Sequence, residues 1–299
     1  QLQEAYSYPS CPGMPNYTGG LVGYFGYDTV RYVESKIKDT APPDELGSAD
    51  IVLMVSDDVI VFDNVKGRMH LVTHVSDLSP DQMNQAALRL DAMQGCLKGA
   101  LPDEFVAPKV SPKLEEHDFI SSYGEDQFKV DVAHLKEYIA AGDVMQVILS
   151  QRLSCSFEAA PLNLYRALRA LNPSPYMYFM DLETVQIVSS SPEILARLEH
   201  GEVTVRPLAG TRRRGRSPEE DLEMERELRA DPKEQAEHLM LIDLGRNDIG
   251  RVCETGTVEV SEMMTIERYA HVMHLASNVC GRLKPNLTAI DVLKATLPV

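Results

Sequence analysis

The sequence predicts an α+β fold built on antiparallel sheets. Strand-like runs adjoin one another through short turns, and helical runs stand in blocks of their own. The regular strand–helix alternation of a doubly wound parallel sheet is missing. With 299 residues the chain is long enough for one large domain or two ordinary ones.

Taken in order, residues 18–28 (TGGLVGYFGYD) interleave glycines with Tyr24, Phe25 and Tyr27, as in a strand that another backbone approaches closely. β-Branched runs at 51–55 and 59–63, a turn at 64–67 and a run at 69–75 give two or three more strands. A helix starts at Ser79-Pro80-Asp81 and finishes near Gly95. Residues 101–117 are rich in proline and charge and read as a surface linker. They mark the best boundary between a first part, 1–110, and a second, 118–299. Phe128, Val132, Leu135 and Ile139 then fall at helical spacing before Gly142. VMQVILSQRLSCSF alternates as a strand, with Gln146 a polar amide inside it. LNLYRALRALN is a helix stopped by NPSPY, and paired strands follow around turns at 181–184 and 200–201. Ser217-Pro218-Glu219-Glu220 and Asp231-Pro232-Lys233-Glu234 each place an N-cap, a proline at the first helical position and a glutamate at the third.

A net charge of −16 argues against a nucleic-acid or anionic-membrane surface. The basic cluster Arg212, Arg213, Arg214 and Arg216 is followed at once by acids, so a locally paired, solvated face is the better reading than a phosphate patch. No apolar run approaches bilayer-spanning length, and no signal peptide is visible. Five cysteines without CxxC spacing suit a reduced, cytoplasmic setting.

Several residues could carry chemistry. Glu234 and Glu237 share one helix face and could hold a hard cation such as Mg²⁺, although a capping-box acid and an ordinary surface carboxylate account for the same spacing. Glu193 follows a small-residue run. Withdrawn from water, it would have a raised pKa and could donate a proton, but a loop acid fits as well. Gly210-Thr211 offers backbone N–H groups to an anion or makes a plain turn. His271 and His274 would face opposite ways on a strand, so only one can address a pocket, and a satisfied core histidine is the ordinary reading of His274. For Gln146 the ordinary reading is a buried amide bonded to backbone.

Read together, GGLVGYFGYD, AGDVMQVILSQR, NPSPYMYF, SSSPEILARL, RPLAGTRRRG, EQAEHLMLIDLGRND and ERYAHVMHLAS strongly resemble the chorismate-utilising enzymes, and within them those that make anthranilate. The resemblance implies two facing antiparallel sheets with helices outside and a cleft between them. It implies Glu237 as a direct Mg²⁺ ligand and Glu234 as one acting through water. Gly210 and Thr211 are then chorismate binders, Glu193 the acid near the departing 4-hydroxyl, and His274 rather than His271 the active-site histidine. Relatives that add water at C2 carry a lysine where this chain has Gln146, and relatives that aminate C4 through an enzyme adduct carry one where it has Ala209. Glutamine cannot deprotonate water, whereas ammonia needs no such base, so amination at C2 followed by pyruvate loss is implied.

The resemblance further implies a glutamine amidotransferase partner, in a heterotetramer of two synthase and two glutaminase subunits, and feedback by tryptophan bound beside Pro175, Tyr176 and Met177. Tryptophan biosynthesis is the pathway implied. An aminodeoxychorismate or isochorismate synthase, or a non-catalytic tryptophan-sensing partner of a glutaminase, is the alternative. The family pattern leads one to expect further segments on either side of this chain. A Gly-Ala-Pro-Lys loop and a second metal-binding glutamate pair are expected after Val299, without which the chain would be inactive.

Overall fold

The computed structural model describes residues 6, 8, 11–102 and 113–297, and every strand pairing in it is antiparallel. Most of the proline-rich stretch at 101–117 lies outside the described residues. Two compact units appear: residues 1–100 together with 165–299, and residues 101–164.

In the first unit, β1 (Gly20–Phe25) pairs with β2 (Ile51–Ser56), and β3 (Asp58–Asp63) with β4 (Arg68–Thr73). Gly23 explains the glycine-rich motif: a Cβ there would lie 1.9 Å from the Val52 carbonyl oxygen, so only glycine lets β2 approach. Helix α1 (Pro80–Lys98) begins at Ser79, whose side chain accepts a hydrogen bond from the Gln82 N–H, and it runs three residues past Gly95.

The second unit contains α2 (Glu125–Ala141), closed by Gly142 at φ 82°, and a two-residue ladder between β5 (Ile120–Ser121) and β6 (Leu153–Ser154). The strand expected through Gln146 is not there, and residues 143–152 are irregular. Gln146 is exposed rather than a buried amide, and its apolar neighbours Met145 and Ile148 are 81% and 78% exposed. Alternation supplies a face, but a strand also needs a neighbour for its N–H and C=O groups. Along this run the ladder to Ile120–Ser121 reaches only Leu153–Ser154. Helix α3 (Pro161–Leu171) leads back into the first unit.

There, β7 (Tyr176–Leu182) and β8 (Val185–Ser191) form a hairpin, and β9 (Arg197–Glu199) and β10 (Glu202–Val205) another, turning at His200 and Gly201 with φ of 51° and 80°. The main sheet is organised by β13 (Val272–Arg282). β12 (Glu259–Arg268) pairs with it, and so do β10 and, farther along, β11 (Leu208–Arg213). The break between β10 and β11 falls at Pro207, which has no N–H to give the ladder. Its carbonyl still accepts from Ser277.

Helices α4 (Pro218–Ala230) and α5 (Pro232–Val252) cover this sheet, capped by Ser217 and Asp231 as their proline-opened starts predict. On α5 the buried residues His238, Ile242, Gly245, Ile249 and Val252 recur every three or four positions and form the face turned to the core. Ile242, Ile249 and Val252 pack with Val203, Val205, Val279 and, from α6 (Ala289–Thr296), Val292; Leu228 packs with Met273 and Leu275. Among the described residues no helix is long and apolar enough to cross a membrane.

Arg212, Arg213 and Arg214 are spent on carboxylates, as the paired-face reading expects, while Arg216 meets Glu220 through its backbone N–H. Arg212 bonds Glu227 and Asp231 at 2.8 Å each, Arg213 bonds Glu220, and Arg214 bonds Asp221 at 2.7 Å. Asp221, buried, also accepts from the Gly215 N–H at 2.9 Å and from Arg268 at 3.0 Å. The Arg214 guanidinium and then the Gly215 N–H hold its carboxyl far below the usual range. A depressed carboxyl contributes stability above its unfolded pKa of about 4 and loses it as pH falls toward the folded value. Asp221→Asn should therefore melt well below the parent at pH 7, and the gap should narrow as pH drops below about 4; melting curves at several pH values check this.

Candidate functional site

Gly210 is not a turn. It is the extra residue of a bulge inside β11, where the register shifts between Ala209 and Thr211. Its φ of 75° suits glycine, and a Cβ there would lie 3.2 Å from Leu228 and Leu275 and 3.3 Å from the Glu234 Cβ. The bulge brings Thr211 opposite His274, and the Thr211 hydroxyl and the His274 Nδ1 share a hydrogen bond of 3.0 Å. His271 precedes β13, is exposed, and sits 3.3 Å from the Leu171 carbonyl. Only His274 joins the cluster.

Glu193 lies just after β8, and its carboxylate accepts the Leu208 N–H at 2.9 Å. Loss of water around the carboxyl raises its pKa, and the Leu208 bond pulls back only in part. Glu193 lines a cavity of about 250 Å³ with Ser191, Arg206, Leu244, Asp248 and Thr296. Asp248 is buried, and desolvation raises its pKa too.

Glu234 and Glu237, both half-buried, occupy the first turns of α5. Glu234 makes no capping box: Asp231 caps its N–H, and its carboxylate instead faces Arg212 at 3.5 Å. The next residue after Glu237, His238, is fully buried and bonded to Ser277 at 2.7 Å, which fastens this turn to β13. Two hard oxygen donors on one face fit an ion that keeps several waters and takes other ligands from substrate. Among the described residues no group of three His, Cys, Asp or Glu comes together, so the pair would supply part of a coordination shell.

Pro175 is exposed at the start of β7, where Tyr176 and Met177 are half-buried and paired to Ser191 and Ser190. Gln146 belongs to the other compact unit.

Residues 2–299 match the family model described as chorismate binding enzyme. The chain belongs to that family. It is 50% identical over 297 residues to anthranilate synthase component 1 of Pseudomonas putida, covering 99% of this chain and 60% of that protein. To the protein of the same name from Pseudomonas aeruginosa it is 48% identical, covering 100% of this chain and 61% of the relative. The chain thus spans about three fifths of the length of these curated relatives. The crystal structure of anthranilate synthase component I from Streptococcus pneumoniae superposes with a TM-score of 0.87 at 37% identity, over 100% of this chain and 65% of that one. An isochorismate synthase structure from Escherichia coli, 15% identical with a TM-score of 0.58 over 92% of this chain and 63% of that one, shares the fold alone.

The sequence reading missed residues that the fold places beside these. Tyr269 stands 5.6 Å from His274, ring centre to ring centre, and bonds Glu267, which pairs with Arg206. The signal lay in the same ERYAHVMH motif, but a chain segment cannot show that β12 and β13 fold back on each other. Asp248 continues the α5 spacing from Leu241, Leu244 and Gly245 into the cavity, so an acid extending an otherwise apolar stripe was its trace.

A carboxyl whose folded pKa is raised costs nothing while protonated and destabilises once pH climbs above its unfolded value. Glu193→Gln keeps an acceptor for Leu208 and removes that cost. Its melting temperature should exceed the parent's at pH 7 and equal it below about pH 4; thermal melts across that range decide it. Gly210→Ala should destabilise by more than about 1 kcal/mol through its positive φ and its tight neighbours, measured by denaturant unfolding.

Proposed function

We propose that the protein carrying this chain converts chorismate and ammonia into anthranilate, pyruvate and water. The observation that carries this is the joined Thr211–His274 pair, with Glu193, its pKa raised by loss of water around the carboxyl, bonded to Leu208 of β11, in a chain half of whose residues are shared with a protein named anthranilate synthase component 1.

The chain's own groups account for the steps as follows. Glu193, whose pKa is raised by loss of water around its carboxyl, gives a proton to the departing 4-hydroxyl as ammonia adds at C2. His274, tethered at Nδ1 to Thr211, takes the C2 proton when the enolpyruvyl group leaves as pyruvate. Backbone groups of the Gly210–Thr211 bulge hold the substrate anion. Glu237 and Glu234 are the residues that would hold Mg²⁺, which when bound would offset substrate carboxylate charge and draw electron density from the ring.

Two residues favour C2 amination over the sister reactions. Ala209, buried in β11, has no nucleophile for a C4 adduct, and Gln146 has no basic nitrogen to deprotonate water. The word component in the relatives' names implies a second component. We take it to be a glutamine amidotransferase that delivers NH₃, paired two-and-two with this subunit in the cytoplasm. Feedback tryptophan would bind beside Pro175, Tyr176 and Met177, which fits a place in tryptophan biosynthesis.

The polypeptide containing this chain, given chorismate, Mg²⁺ and ammonium, should yield fluorescent anthranilate and equimolar pyruvate. Isochorismate or aminodeoxychorismate as the product would overturn the reading. Glu237→Gln should lower Mg²⁺-dependent turnover about 100-fold or more with the fold intact by circular dichroism; normal turnover would remove Glu237 as a ligand.

A further inference from the structure

We infer that Tyr269 is a positioning residue for His274, itself anchored by Glu267 and Arg206. The inference deepens the proposed function, since it rests on His274 being the group that handles a proton in the cleft.

A single hydrogen bond, to the Thr211 hydroxyl, is what the His274 ring makes through Nδ1. A hydroxyl both donates and accepts, so this bond by itself neither selects a tautomer nor stops the ring from swinging about its own side-chain bonds. The second restraint is aromatic. The Tyr269 ring meets His274 at 5.6 Å between centroids with an interplanar angle of 62°, an edge contact in the favourable range for ring pairs.

Tyr269 is suited to this because it is fixed at three points. Its hydroxyl donates to Glu267 Oε2 at 2.7 Å, its N–H donates to the Val272 carbonyl at 2.8 Å, and its own carbonyl accepts from Arg214 Nη1 at 2.8 Å. The first bond needs a phenol that keeps its proton, and burial followed by the Glu267 bond pushes the Tyr269 pKa up to about 12. Glu267 must stay ionised to accept it. Desolvation works against that, but the Arg206 and Tyr269 bonds hold its carboxyl below the ordinary value.

Register adds the last piece. Glu267 and Thr211 face His274 from the strands on either side, so the three side chains form one row across β12, β13 and β11. Arg206, which ends the row by pairing with Glu267, also lines the cavity containing Glu193. The contacts of Tyr269 thus run from the imidazole through Glu267 to an arginine that shares a cavity with Glu193.

The test uses the ¹⁵N-labelled chain and the two side-chain nitrogen signals of His274, identified by their disappearance in His274→Gln. In the parent the two shifts should lie far apart, the mark of a single tautomer. They should move toward each other in Tyr269→Leu, and part-way in Tyr269→Phe, which keeps the ring and loses only the bond to Glu267. Thr211→Val is the positive control. In the amination assay Tyr269→Leu should lower kcat about tenfold with KM changed less than about twofold, since it removes orientation rather than binding. Unchanged His274 shifts in Tyr269→Phe and Tyr269→Leu, or a parent already averaging between tautomers, would overturn the inference. If Tyr269→Leu fails to fold, Tyr269→Phe decides alone. The nitrogen shifts require no chorismate, so responsive shifts without anthranilate formation would sink the functional reading and leave the positioning role standing.

Discussion

The site depends on β13 being hydrogen-bonded along both edges. Met273, Leu275, Ala276 and Val279 are essentially removed from water, and strands on either side take the backbone groups. A strand so enclosed opens only with the fold as a whole, which makes it a stiff mount for the side chains it carries. His274 borrows that stiffness. Thr211 and Glu267 acquire their places from it by register, and α5 is fastened to it through His238 and Ser277.

Four carboxyls around this mount have been given different characters by environment alone. Asp221 is surrounded by guanidinium and N–H donors and stays charged at any ordinary pH. Glu267 is partly desolvated, but two hydrogen bonds prevail and it too remains an anion. Glu193, exposed as a residue but with its carboxyl partly withdrawn from water and holding a single backbone donor, has its pKa raised. Glu234 faces Arg212 at the rim of the helix, which makes that arginine the cation an incoming metal would have to compete with. Four carboxyls are thereby given different tendencies by their surroundings alone.

Much of this was legible in the linear sequence. The proline-opened starts at Ser217 and Asp231, the Gly142 stop and the His200–Gly201 turn are local signals, and local physics decided them. So did the pairing of Arg213 and Arg214, whose acids Glu220 and Asp221 lie seven residues on in the first turn of the next helix, whereas Arg212 reaches Glu227 and Asp231, 15 and 19 residues away. The failures share a cause. The run through Gln146 had the period of a strand, but a ladder depends on a partner elsewhere in the chain. Gly210 read as a turn because a bulge and a turn use glycine for the same φ, and only the register of the neighbouring strand separates them. The contacts of Tyr269 with Glu267 and His274 lie within eight consecutive residues, but only the turn between β12 and β13 brings the rings together, and the Arg206 pair with Glu267 spans 61 residues.

Gly210 has a consequence for how this family can drift. At Gly210 no side chain stands between β11 and the first turn of α5, and a Cβ there would press on Leu228, Leu275 and Glu234. A methyl group gained or lost at either leucine would be felt as a displacement of the acids and not absorbed as a local void. Those positions should therefore vary in concert, trading volume between them, while the surface of α4 a turn away is free to wander.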